Sequence, residues 1–207
     1  MFLFYLKKQN IKNIIFLVMS KKKYFNVRMI VSTAILVAVE VVLQLLSMVL
    51  PTVVNLNLAL VVITIGAILY GPVVGGFLGL VNGVVILLSP NTVTVFMSIS
   101  PIGTILTCLL KTTIAGAVAG LLAKWINKKN DFVGSLVAAF TVPFLNTMIF
   151  AIFTQLFFIK DLGLSSFGEI FTILIGINFL FEVVSNMVIA PSLYKILQRV
   201  EHKAIID

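Results

Sequence analysis

Thirteen of the fifteen Lys and Arg residues fall into three clusters, over 7–28, 124–129 and 195–203, and long stretches with almost no charge separate them. Basic residues in short loops stay on the cytoplasmic side of a membrane, because carrying them across the bilayer costs free energy and is opposed by the membrane potential. Both termini and one middle loop are therefore expected inside, and that requires an even number of crossings.

The segments between the clusters are apolar enough to make those crossings. Hydrophobic residues make up 60% of the 207, charged residues 11%, and the mean hydropathy is +1.18, outside the soluble range. A spanning helix needs roughly 20 apolar residues, since the hydrocarbon core is about 30 Å thick and each residue rises about 1.5 Å. Six stretches qualify: Met29–Leu50, Val53–Tyr70, Val73–Ser89, Ile102–Leu122, Phe132–Phe158 and Phe167–Leu197. The reading is an all-α integral membrane protein, a bundle of six transmembrane helices with both termini cytoplasmic. Residues 1–28 form a basic cytoplasmic or interfacial segment, 29–198 the six-helix membrane domain and 199–207 a cytoplasmic tail.

The formal charge of +8 follows these loops, so the acidic partner it implies is anionic lipid headgroups and not nucleic acid. The apolar run Ile14–Met19 is short, lacks a small-residue cleavage site and is followed by basic residues, unlike a secretory signal. It reads as an extension, or as sequence upstream of a start at Met19. Cys108 stands alone and permits no internal disulfide.

Gly71-Pro72 leaves so little chain between the second and third stretches that these helices are expected to be antiparallel neighbours. On the outer side, the dozen uncharged residues from Pro90 to Pro101 are read as a loop, either a lid over a cavity or a plain linker. Gly75, Gly79 and Gly83 recur every four residues, and Gly116 and Gly120 repeat the spacing, giving bare faces that a neighbouring helix can approach closely. Ala34 and Ala38 have the same spacing, as internal packing or as a docking surface for another membrane subunit.

Polar residues inside spans cost free energy unless they face a partner or a water-filled cavity. They are Asn55 and Asn57, Asn82, Asn146 after Pro143, Gln155, and a stripe of Asn178, Glu182 and Asn186 spaced four apart on one helical face. Thr104, Thr107 and Lys111 form a second inward stripe. Lys111 is expected about 14 Å below the outer surface, with Asn146 and Asn178 at similar depth. One cation among several amides suits a small ligand bearing a carboxylate with amide or hydroxyl groups. Pairing with Glu182, about 7 Å away in depth, is the competing role for Lys111. Glu40 is either a partner of Lys111 or part of the surface that meets another subunit.

No catalytic constellation is present. The sole histidine, His202, is in the tail, no phosphate-binding Gly-x-x-x-x-Gly-Lys motif occurs, no cofactor is indicated, and the intramembrane carboxylates are too few for a proton pathway. A stand-alone secondary transporter or channel would carry more pathway charges or an internal repeat, and a membrane enzyme a nucleophile with its base or a metal cluster.

Taken together, the Ala34-x-x-x-Ala38 pair, the run Ile65-Gly-Ala-Ile-Leu-Tyr-Gly71-Pro72-Val-Val-Gly75-Gly76-Phe-Leu-Gly79-Leu-Val-Asn82-Gly83, and Ser100-Pro101-Ile-Gly103-Thr104 followed by Lys111 and Ala115-Gly116-Ala-Val-Ala-Gly120 resemble the substrate-binding (S) components of energy-coupling factor (ECF) transporters. The similarity covers roughly Arg28 to Gln198. It implies a vitamin-capturing subunit of the bacterial cytoplasmic membrane that partners a transmembrane coupling subunit and two ATP-hydrolysing subunits. It also implies a docking face at Ala34 and Ala38, a pocket gated by the 90–101 segment with Pro51-Thr52, and toppling in the bilayer. The pattern looks most like pantothenate-type members, with Lys111, Asn57, Asn146 and Asn178 as ligand contacts and Asn82 and Glu182 beside them. That branch more often carries Arg where Lys111 stands, and Lys supplies a point charge where Arg supplies a bidentate fork. Riboflavin, folate and other vitamins stay open. Trp125, the one tryptophan, is placed in the cytoplasmic loop, away from a flat-ring ligand.

Overall fold

A computed structural model describes residues 27–49, 57–164 and 166–203, and every element in them is helical. Residues 1–26, Asn55 and Pro51-Thr52, and the tail beyond Lys203 lie outside the described residues. The described residues divide into two units, one ending at Ala34 and the other beginning at Ile35. The longer elements are α1 (Val27–Val49), α2 (Ala59–Tyr70), α3 (Pro72–Leu87), α4 (Pro101–Ile126), α5 (Asp131–Phe157) and α6 (Gly176–Lys203).

Among the described residues, four segments are long and apolar enough to cross a membrane: Met29–Met48, Pro101–Ile126, Asp131–Phe157 and Asn178–Leu197. The second and third expected spans are shorter, α2 at 12 residues and α3 at 16, or about 18 and 24 Å of helix. Burial explains what α2 does with so little length. Every residue from Ala59 to Ile68 is buried, the mark of a helix surrounded by protein and not by lipid. Val61 and Ile65 pack with Ala139 of α5 and Ala190 of α6, and Leu36, Leu69 and Met187 close around them.

Gly71 makes the turn between α2 and α3 at φ 85°, a conformation other L-residues rarely adopt, and Pro72 fills the first position of α3. The next contact is backbone on backbone. A Cβ on Gly75 would stand 2.5 Å from the Gly116 carbonyl oxygen, one on Gly83 2.5 Å from that of Cys108, and one on Gly120 2.6 Å from Pro72 N. Both glycine stripes thus face each other, and the Thr112 hydroxyl of α4 donates across the seam to the Gly79 carbonyl at 2.5 Å. Such approach maximises dispersion contact where no hydrophobic force drives helices together.

Helix starts follow the caps in the sequence. Ser100 accepts from Gly103 N ahead of Pro101, and Asn130 accepts from Phe132 N and Val133 N at 3.0 and 3.2 Å ahead of Asp131.

Three expectations need correction. The 90–101 segment is not an extended loop. Residues 90–91 and 98–99 are helical and Thr92–Met97 is a π-helix, anchored where Phe96 meets Phe150 and Phe158 edge-on at 6.0 and 5.2 Å. The stretch expected as one span from Phe167 is broken into a turn at Phe167–Glu169, a π-helix at Ile170–Ile175, and α6, with Gly176 at φ 33° in the break. Finally, α4 runs to Ile126, so Lys124 and Trp125 belong to its last turn and not to a loop. A cation there complements the helix dipole, and Trp125, 73% exposed, lies on the outside of the bundle.

Candidate functional site

Lys111, on α4, is half-buried, and its ammonium stands 5.1 Å from the centroid of the Phe150 ring of α5. Among the described residues it makes no hydrogen bond and no ion pair within 4.0 Å, so its three N–H donors have no acceptor. Glu182 makes no ion pair with Lys111 within 4.0 Å, and its carboxylate accepts a hydrogen bond from the Asn57 backbone N–H at 3.3 Å. Asn57 stands just before α2, so this contact ties the start of α2 to the second turn of α6.

The α6 stripe faces inward as its spacing requires. Asn186 is buried and donates from Nδ2 to Thr64 Oγ1 at 3.0 Å, while Asn178 and Glu182 are half-buried. Asn146 of α5 is buried one turn before Phe150 on the same helical face. Asn82 of α3 is 0% exposed, one turn beyond the Leu78 that packs on Gly66; no contact joins it directly to Lys111. Thr104 and Thr107 are buried as expected, but their hydroxyls donate to Ser100 O and Gly103 O within their own helix.

What sets these residues apart is missing partners. The side-chain oxygens of Asn57, Asn82, Asn146, Asn178, Asn186 and Gln155, and Nδ2 of Asn82, are buried without a hydrogen bond. A buried polar group left unpaired costs about 1–3 kcal/mol, and most buried polar groups in native proteins are paired. Unpaired acceptors just before α2 and on α3, α5 and α6, with the unused donors of Lys111, are groups able to give a polar molecule hydrogen bonds of both senses and one positive charge.

Residues 28–196 match the family described as ECF transporter, substrate-specific component. The chain belongs to that family. Neither a curated protein nor a solved structure matches it. As an S component, it is a transport subunit in the membrane, and its several apolar helices fit a multi-pass arrangement.

Two polar residues of this S component escaped the sequence reading as site candidates. Gln44 is buried with Oε1 unpaired, and Thr154 is fully buried with Oγ1 unpaired. Each carried a legible signal: Gln44 lies four residues after Glu40, and Thr154 extends the Asn146–Phe150 face by one more turn. Glu40 itself is 0% exposed, with both oxygens unpaired. That excludes its role on an outward docking surface, because it occupies the side of α1 away from the exposed Ala38, Val39 and Val42. A carboxylate without a partner gains nothing from its charge in an apolar setting. Glu40→Gln keeps the shape and should leave the melting temperature unchanged or raise it; a fall of several degrees would show that the charge has a partner.

Proposed function

We propose that this S component captures a small water-soluble vitamin bearing a carboxylate, pantothenate being the best fit, and hands it inward with an ECF coupling subunit and two ATPases. In this reading Lys111 meets the carboxylate while Asn57, Asn146 and Asn178 bond the amide and hydroxyl groups, with Asn82 and Glu182 completing the polar lining. The observation that carries it is the Lys111 ammonium, held at a ring face with no acceptor among the described residues, in a helical domain whose buried amide oxygens also lack partners. A carboxylate accepts from that ammonium in a charge-assisted bond, and hydroxyls of the ligand donate to the amide oxygens.

The helices cross a bacterial cytoplasmic membrane six times in this account, α2 and α3 included, with both termini inside as the basic clusters require. Support for the docking face is that Ala34 and Ala38 are each exposed, as are Val31, Ile35 and Val42. Small residues there let a coupling subunit's helix approach closely. Replacing both alanines by Leu should abolish co-purification with the coupling subunit and ATP-driven uptake while leaving ligand affinity of the isolated chain unchanged. Intact assembly in that variant rejects the docking face.

The test of the ligand is a titration of detergent-purified protein against pantothenate, riboflavin, folate and other vitamins. Tight one-to-one binding of a carboxylate vitamin is expected. Preference for riboflavin would move the account to a flat-ring ligand stacked on phenylalanines, and binding of none would reject it.

A further inference from the structure

Lys111 presents a physical problem that its own helix does not solve. A four-carbon stem carrying an ammonium is flexible, strongly hydrated and drawn toward water, so at membrane depth it needs something to hold it in place. A carboxylate would do so, but would take up the N–H donors and neutralise the charge. A ring face attracts the cation through its quadrupole and leaves all three donors free.

The structure provides that ring and fixes it from several sides. Phe150 lies under the ammonium at 5.1 Å. Phe96, from the π-helix Thr92–Met97, meets the Phe150 ring at 6.0 Å and 73°, and Phe96 is in turn held against Phe158 at 5.2 Å and 89°. Phe150 also packs against the buried cluster of Ala151, Ile170 and Ile175, so the second π-helix contributes to its seat. Asn146, with its unpaired oxygen, precedes Phe150 by one turn on the same face.

We propose that Phe150 is a positioning residue: its ring seats the Lys111 ammonium with its donors directed at an incoming carboxylate, and Phe96 locks that ring from the segment between Pro90 and Pro101. This rests on the reading of Lys111 as the ligand's cation partner. The consequence is a link between the outer π-helical segment and the binding charge. Moving that segment withdraws Phe96 from Phe150 and loosens the cation, so the segment and the ligand affinity are coupled through one ring.

Fluorinated phenylalanines test this, because successive fluorines drain the negative face of the ring and barely change its shape. With one, two and three fluorines at position 150, the melting temperature of ligand-free protein in detergent should fall stepwise, and the series should be flat in a Lys111→Met background. Pantothenate affinity should fall along the same series, by about two- to thirtyfold in all, the range of a cation–π contact. Phe150→Tyr should restore affinity lost in Phe150→Leu. Phe96→Leu should weaken binding, whereas Phe153→Leu, whose ring pairs with Phe157 instead, should not. A flat melting series in both backgrounds overturns the seat, and a graded melting series with unchanged pantothenate affinity overturns the positioning role. If wild-type protein binds no pantothenate, the ligand reading fails, and the melting series alone decides the seat.

Discussion

Gly79→Val is expected to cost this protein its fold. A side chain at Gly79 meets the Thr112 carbonyl directly and Thr113 N at 2.8 Å, so the obstruction is backbone, which cannot rotate aside. The contact is one of a series: Gly75 against Gly116, Gly83 against Cys108 and Gly120 against Pro72 pin the two helices on either side of it. Separating α3 from α4 by even one methyl width opens the whole seam and breaks the Thr112–Gly79 hydrogen bond. Overpacking of this kind costs about 1–3 kcal/mol when neighbours can shift and more when they cannot, and the lost hydrogen bond adds about 1 kcal/mol. The expected loss is therefore about 3 kcal/mol or more, seen as aggregated or unrecoverable protein in size-exclusion and melting measurements. Gly76→Ala is the control on the same helix. Its nearest neighbours are the Ala117 methyl at 3.3 Å and Thr113 O at 3.7 Å, which a few tenths of an ångström of movement accommodates. A near-native melting temperature for Gly79→Val would show that the seam is loose.

The second large effect is on binding. Lys111→Ala should weaken a carboxylate ligand by about 1.5–3 kcal/mol, the range for a hydrogen bond to a charged group, or roughly tenfold to more than a hundredfold in Kd. Because Lys111 has no ion-pair partner among the described residues, its removal strands no opposite charge at contact distance, and the fold should survive. The signature is selective. An amide analogue of the same ligand, lacking the negative charge, should lose much less in Lys111→Ala than the carboxylate does. Equal losses for acid and amide, or no loss for either, would return Lys111 to a structural role.

Features governed by local rules were readable in the sequence, and features governed by tertiary contact were not. The starts expected at Val73, Ile102 and Phe132 each fall within a residue of the helix starts at Pro72, Pro101 and Asp131, where caps and the restricted φ of proline act over three or four residues. The four-residue spacing of Gly75, Gly79 and Gly83 announced a close helix contact, and Gly116 and Gly120 supplied its other side. Residues 90–101 gave no such signal. Their Ser, Thr and Pro content reads as loop, and the π-helix there is held by Phe96 on the rings of Phe150 and Phe158, far along the chain. The break at Gly176 was hidden because hydropathy averaged from Phe167 onward stays apolar across one glycine. In the site, the inward direction of Asn178, Glu182 and Asn186 followed from spacing alone. The support of Lys111 by Phe150 did not, since one phenylalanine among seventeen has nothing local to mark it.

Vesicles containing the purified protein alone test most directly the proposal that this chain binds its solute and does not itself drive transport. Radiolabelled vitamin should associate in a fixed ratio to protein and reach no higher concentration inside than outside, with uptake appearing only when the coupling subunit, the two ATPases and ATP are added. Accumulation against a gradient by the chain alone would contradict the account.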